Sequence, residues 1–148
     1  MGMTVRMDIG RFKEQLRAKI EVIHAATRPA AQAGAQIIYE RARINAPVSD
    51  GAHFFYGRGS KKSGVRYGPY RAGNLRDSIY QVFSKSNSYR DVSTYHISFN
   101  KDKAPYGYMV HNGTSHSAAN PFIAKAVIET RAEVREAIKT RYIAEVKK

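Results

Sequence analysis

The spacing of apolar residues changes twice along this 148-residue chain, and this change limits the fold more than any other feature. Towards both ends, apolar residues recur every three or four positions, which is the spacing of a helix that buries one face. In the middle, residues 94–99 alternate polar and apolar side chains, which is the spacing of a half-buried strand. Helices at the ends and strands between them predict an α+β domain, in which helices cover an antiparallel sheet.

Two helices are predicted in the first third of the chain. The first covers residues 9–25, where apolar side chains form one stripe: Ile9, Phe12, Leu16, Ile20 and Ile23. Thr27 and Pro29 indicate that a second helix starts there, because proline is favoured in the first helical turn. That helix is expected to bury one face of small and apolar residues: Ala31, Ala35, Ile38 and Ala42. Pro47 ends it, because the residue before a proline avoids helical backbone angles.

Two strands and a short third element follow. Residues 78–84 and 94–99 each have two distinct faces and are separated by a polar turn, so they predict an antiparallel hairpin. Residues 106–111 are predicted to form a short strand or a single turn, because Asn112 and Gly113 give a turn signal directly after them. The expected sheet is therefore a hairpin plus one short strand, packed against the N-terminal helices.

A long helix is predicted at the end of the chain. Asn120 is placed to cap it, Pro121 occupies its first position, and it extends from Phe122 towards residue 146. A chain of this length suits one domain with its own core, so residues 1–148 are interpreted as a single domain. No stretch approaches the roughly 20 apolar residues that cross a bilayer, so no membrane partner is expected.

A basic loop rich in glycine and aromatic residues is predicted over residues 48–73. Six of the chain's eleven glycines lie in residues 51–73, and residues 58–76 carry six basic side chains and no acidic one. The formal net charge of +13 indicates a polyanionic neighbour. The candidate contact residues of the loop are Phe54, Phe55, Tyr56, Arg58, Lys61, Lys62, Arg66 and Arg71.

Three interpretations of this loop are open on the sequence alone. Its basic side chains can neutralise DNA phosphates while its aromatic rings stack or wedge. Its rings can instead anchor the loop in the pockets of a partner protein. In the third interpretation the rings only pack back on the sheet. We expect a flexible or hairpin-like loop that becomes ordered only against a partner.

Sequence patterns for catalysis or cofactor binding are weak. Residues 57–64 share glycines and lysines with phosphate-binding loops, but they lack Gly-Lys-Ser/Thr at the required spacing. His111 and His116 are five residues apart, which separates them on a helix, and no acidic cluster lies beside them in the sequence. The chain has no cysteine. We therefore predict no catalytic residue, no cofactor and no metal site.

Three motifs, in a fixed order, resemble those of the neck or tail-completion family of long-tailed, lambda-like bacteriophages. Residues 41–47 (RARINAP) are similar to the family's helix ending in Ala-Pro. Residues 73–79 (GNLRDSI) are similar to its Gly-x-Leu-x-x-Ser-Ile entry into a strand. Residues 108–114 (YMVHNGT) and 120–126 (NPFIAKA) resemble its Val-x-x-Gly-Thr and Pro-Phe ending. The motif residues are Pro47, Gly73, Leu75, Ser78, Ile79, Val110, Gly113, Thr114, Pro121 and Phe122.

The resemblance implies a structural protein of the phage particle, with no enzymatic activity. It implies a ring, of six copies by family analogy, between the head connector or stopper and the tail-terminator or tail-tube proteins. Packaged DNA would pass through the channel of this ring, which would account for the positive charge. Such a protein resides in the neck of the virion, and in the host cytoplasm during assembly.

One departure from the family concerns the basic loop. Many members pass from Ala-Pro to Gly-x-Leu within a few residues, whereas residues 48–72 intervene here, so the resemblance says least about this segment. The alternative function from another class is a small basic nucleic-acid-binding protein. Tight and strongly salt-dependent binding of the isolated chain to free DNA would favour that alternative.

Overall fold

The computed structural model of the chain describes residues 2–56 and 65–148. These residues form five helices and two antiparallel two-stranded sheets, which confirms the α+β class. The helices are α1 (Gly10–Asn45), α2 (Asn74–Ser78), α3 (Gly107–Asn112), α4 (Phe122–Glu129) and α5 (Arg131–Val146). The strands are β1 (His53–Phe55), β2 (Tyr67–Tyr70), β3 (Ile79–Phe83) and β4 (Tyr95–Phe99).

The predicted break between two N-terminal helices is wrong, because α1 is one helix of 36 residues with Pro29 inside it. Proline removes one helical hydrogen bond, but the residue four positions earlier is exposed, so water can bind its carbonyl. Ala26 and Ala30 are buried on either side of the proline. The Arg28 guanidinium also lies 4.2 Å from the centroid of the Phe83 ring. Packing on both sides of Pro29 therefore stabilises a continuous helix.

The predicted hairpin is confirmed. Strands β3 and β4 pair antiparallel, with Ile79 opposite Phe99 and Phe83 opposite Tyr95. The face with Ile79 and Phe83 lies against the helices, whereas Tyr80 on the other face is exposed. Burial alternates along β3, as expected for a sheet covered on one side, whereas in β4 only His96 is exposed.

The short third element, predicted as a strand or a single turn, is a helix of six residues, so the predicted strand is wrong. Helix α3 follows Tyr106, whose carbonyl accepts a hydrogen bond from the Val110 backbone N–H at 3.1 Å. Tyr106 and Val110 are four residues apart, which places both on one face of a helical turn against the core. A Cβ on Gly107 would lie 2.7 Å from the Phe99 ring, so glycine is needed for this close approach.

The predicted C-terminal helix is divided at Thr130 into α4 and α5. The Thr130 hydroxyl is buried and donates to the Ala126 carbonyl at 2.7 Å, a contact that commonly bends helices. The helix also begins one residue later than predicted, since Pro121 is its N-cap. The Asn120 backbone carbonyl accepts from the Phe122 N–H at 2.8 Å, whereas its side-chain oxygen accepts from Lys125 Nζ at 3.2 Å and caps no helical N–H.

The core lies where α1, α2, α4 and the β3–β4 hairpin meet. Its buried members are Ala46, Leu75, Ile79, Ala104, Tyr106 and Phe122. Helix α5 lies along α1, and a Cβ on Gly34 would come within 2.7 Å of the Ile138 side chain. The small residues of α1 therefore permit close helix packing, although Ala31 and Ile38 are only half-buried while Ala35 and Ala42 are buried.

Candidate interaction surfaces

The predicted aromatic loop residues divide between the core and the surface. Strands β1 and β2 pair beside the core. Phe55 packs against the core, and its ring centroid lies 6.2 Å from that of Tyr106. Phe54 and Tyr56 point away and are 42% and 49% exposed. The Arg66 guanidinium lies 4.0 Å from the centroid of the Phe54 ring, so the two form a cation–π pair at the surface. Arg58, Lys61 and Lys62 lie outside the described residues.

An aromatic groove of about 520 Å³ lies beside strand β1. Strand β1 and Tyr106 form one part of its lining, and the turn at residues 114–117 forms another. The His53 ring meets the Tyr106 ring edge-on at 4.8 Å between centroids. Burial raises the pKa of the Tyr106 hydroxyl, which accepts a hydrogen bond from the Asn74 amide at 3.3 Å. The groove is thus apolar, with a few polar groups, and open to solvent.

Three arginines converge on one carboxylate at the junction of α1, α2 and the end of β2. Arg43 Nη2 lies 3.3 Å from Asp77 Oδ1, and Arg71 Nη2 lies 2.8 Å from Asp77 Oδ2. Arg76 Nε donates to Asp77 Oδ1 at 3.0 Å. We call Arg43, Arg71, Arg76 and Asp77 the arginine cluster. The predicted set contained Arg71 only; Arg43 was missed because it lies 34 residues from Asp77 in sequence and no local pattern links them.

The electrostatics of the arginine cluster are set by its excess of cations. Hydrogen bonding to Arg76, with a smaller contribution from Arg71, holds the pKa of the Asp77 carboxyl below its usual value, although partial burial opposes this. The three arginine side chains are 40%, 70% and 42% exposed. The formal charge of the cluster is +2, from three guanidinium groups and one carboxylate.

The Asp77 carboxylate should make folding stability depend on pH in the acid range. Its pKa is lower in the folded than in the unfolded chain, so the stabilisation is present above the usual value of 3.8 and is lost as pH falls through the lower, folded-state pKa. We expect Asp77→Asn to lower the melting temperature at neutral pH, with the difference from the wild type shrinking below pH 4. Thermal melts from pH 2 to pH 7 measure this. Asp102→Asn, the same change on an exposed turn, is the control, and equal acid curves for both variants would refute the prediction.

The motif residues named from the sequence occupy structural positions. Leu75, Ile79 and Phe122 are buried in the core, and Val110 packs against it. Ser78 is buried and donates to the Leu75 carbonyl at 2.7 Å. These contacts position α2, β3 and α4 around one centre.

The remaining motif residues shape the turns between these elements. Gly73 has φ of +77° directly before α2, and Gly113 has φ of +77° directly after α3, a conformation that favours glycine. A Cβ on Gly113 would also lie 2.7 Å from the Ala119 backbone nitrogen. Thr114 Oγ1 accepts from the His116 backbone N–H at 3.2 Å. Pro47 and Pro121 lie at the end of α1 and the start of α4.

The N-terminal part of α1 carries an unpartnered apolar stripe. Every residue from 10 to 23 is exposed, so the predicted stripe of Ile9, Phe12, Leu16, Ile20 and Ile23 contacts no core. Phe12 is 64% exposed and Leu16 is 47% exposed. Contacts with the rest of the domain begin near Glu21 and His24, which pair with Arg90 and Asp91. We call residues 9–23 the N-terminal arm.

Within residues 2–56 and 65–148, no group of three or more metal-ligating side chains converges. His111, one of the two histidines considered from sequence, packs edge-on against the Phe122 ring at 5.3 Å between centroids. Among these residues, no helix combines the length and apolar character needed to cross a membrane.

Comparison with known proteins gives no relative: no family model, no curated protein and no solved structure matches this chain.

Proposed function

We propose that this chain is an architectural protein of a tailed-phage particle, which forms a ring at the junction between head and tail around the path of the DNA. The sequence motifs and their fixed order suggest that the chain belongs to a tailed-phage particle. The observation that carries the assembly role is the extent of apolar surface that the isolated chain leaves uncovered.

The total exposed area supports an assembly role. A compact monomer of 16.6 kDa exposes about 7,600 Å², whereas this chain exposes 11108 Å². Each copy in a ring makes two interfaces and buries about 800 Å² in each, when the interfaces are of standard size. The larger area indicates that the chain is less compact than a typical monomer, which is consistent with a subunit whose projecting segments contact neighbouring copies.

The position of the apolar surface supports the same role. The N-terminal arm presents its stripe to solvent over about 20 Å of helix, at a rise of about 1.5 Å per residue. Exposed apolar areas of this kind mark contact sites for other proteins or for membranes, and contact with a neighbouring copy is the one that fits a ring. A helix projecting from one copy can reach a neighbour related by rotation, which is the heterologous contact that closes a ring.

The charge supports a location around DNA. The chain carries a formal charge of +13, and the arginine cluster concentrates part of it on one surface. A ring with cationic groups along its channel would attract the DNA backbone without reading its sequence. No acid–base pair or nucleophile is required for any part of this role.

Removal of the chain from a phage that encodes it tests the proposal. We expect such lysates to contain full heads and separate tails, with infectious titre reduced at least 1000-fold and restored by the chain supplied in trans. Electron micrographs of the lysate distinguish this result from a general assembly defect. Normal numbers of joined, infectious particles would refute the proposal.

The alternative function, that of a free nucleic-acid-binding protein, would use the same basic side chains. Arg66 stacked on the exposed Phe54 ring is the feature that favours it, since such pairs also contact single-stranded bases. The two functions predict different contents of the lysate of a phage that lacks the chain. Loss of a DNA-binding regulator would lower the number of heads and tails, whereas loss of a joining ring would leave both in normal numbers.

A further inference from the structure

We infer that the arginine cluster is a binding site for a phosphate of the DNA backbone. The inference rests on the proposed function, in which DNA passes the ring, and it names the residues that would contact the DNA. Its basis is the geometry of Arg43, Arg71, Arg76 and Asp77.

The cluster contains more positive charge than its structural role requires. One arginine would suffice to tie α1 to α2 through Asp77, yet guanidinium groups from three elements surround this carboxylate within 3.3 Å. Such groups repel one another, and a single carboxylate leaves a charge of +2. An additional anion would relieve this repulsion. The carboxylate and the Tyr39 hydroxyl, which accepts from Arg43 Nη1 at 3.2 Å, orient the guanidinium groups in advance.

The surroundings of the cluster suit a phosphate on a polymer. A depression of about 570 Å³ lies beside it, with Arg43 and Arg76 on its wall and Ile44 and Val48 among its apolar lining. Arginine binds phosphate through planar, paired N–H groups, while apolar side chains can contact a sugar. Glu40 also lines the depression, and it reduces the local charge to +1. Removing this carboxylate should therefore strengthen binding.

The contact proposed for the arginine cluster is to phosphate and not to base edges. Contacts from arginine to phosphate position a protein on the duplex without specifying sequence. The ligand is therefore the backbone of double-stranded DNA of any sequence, which is what a channel for a whole genome would require.

The test measures binding of the full chain to a fluorescent 30-base-pair duplex of random sequence by anisotropy, between 50 and 200 mM NaCl. We expect a single copy to bind weakly, with a Kd of roughly 10⁻⁴–10⁻⁶ M as for non-specific contacts, whereas tight binding would overturn the proposed function in favour of a free nucleic-acid-binding protein. We expect Arg43→Gln and Arg71→Gln each to weaken binding about three- to tenfold and to lower the salt slope by about one. Glu40→Gln should tighten binding by a similar factor. Arg135→Gln on α5 removes the same charge outside the cluster and should change affinity less than twofold. Circular dichroism melts verify that each variant is folded.

Several outcomes would overturn the inference. Failure of the wild-type chain to bind the duplex at 50 mM NaCl would do so, as would equal effects of the cluster variants and Arg135→Gln. If the arginine variants bind DNA normally but no longer restore head–tail joining in the depleted phage, the cluster contacts an acidic partner protein. That outcome overturns the DNA site and leaves the proposed function standing. Normal joining without the chain would instead overturn the proposed function.

Discussion

Phe122→Ala is expected to lower the free energy of unfolding by about 3–5 kcal/mol, a large part of the roughly 5–15 kcal/mol available to a domain. Phe122 is fully buried, and its ring lies between Phe99 and His111 at 6.1 Å and 5.3 Å between centroids. Truncation would leave a cavity at the point where α3, α4 and β4 meet. Urea denaturation followed by circular dichroism measures the effect.

The matched control for Phe122→Ala is Ile128→Ala on the same helix. Ile128 is 75% exposed, so its truncation should change stability by no more than about 0.5 kcal/mol in the isolated chain. If both variants lose the same stability, the core is not organised around Phe122 as described.

The paired change Phe12→Ser and Leu16→Ser is expected to leave the isolated domain as stable as the wild type but to abolish its assembly. Both side chains are exposed in the single chain, so their loss affects no intramolecular contact with the core. Burial of a phenylalanine and a leucine at an interface contributes about 3–6 kcal/mol, so the contact should weaken about 10²- to 10⁴-fold. Sedimentation velocity of the purified chain and counts of joined particles measure the two consequences.

The control for the N-terminal arm is the pair Arg11→Ser and Glu14→Ser. These residues lie on the opposite face of the same helical turns, at 100° per residue, and their joint replacement leaves the net charge unchanged. This variant should assemble like the wild type. If the Phe12 and Leu16 variant also assembles normally, the stripe is not an interface.

Local patterns in the sequence predicted the elements whose stability is mostly local. The alternation in residues 94–99 and the two faces of residues 78–84 predicted the β3–β4 hairpin, and Pro47 marked the end of α1. These predictions were correct because adjacent residues decide which side chains share a strand face, and because proline restricts the backbone of the residue directly before it. Leu75 and Ile79, two of the motif residues, lie in the core.

The errors arose where contacts distant in sequence decide the structure. Pro29 looked like the start of a helix, but packing around it, including Arg28 on the Phe83 ring, keeps α1 continuous. The buried hydroxyl of Thr130 divides the C-terminal helix, although nothing in its apolar spacing shows this. The arginine cluster was beyond prediction for the same reason, since Arg43 and Asp77 meet only through the fold.

We propose that the chain is a fixed part of a phage particle. Quantitative mass spectrometry of particles purified on density gradients, from a phage that encodes the chain, tests this. We expect a constant, low copy number per particle, with six as the expected value and with no loss after washing in high salt. Absence of the chain from infectious particles, or a variable amount that salt removes, would contradict it.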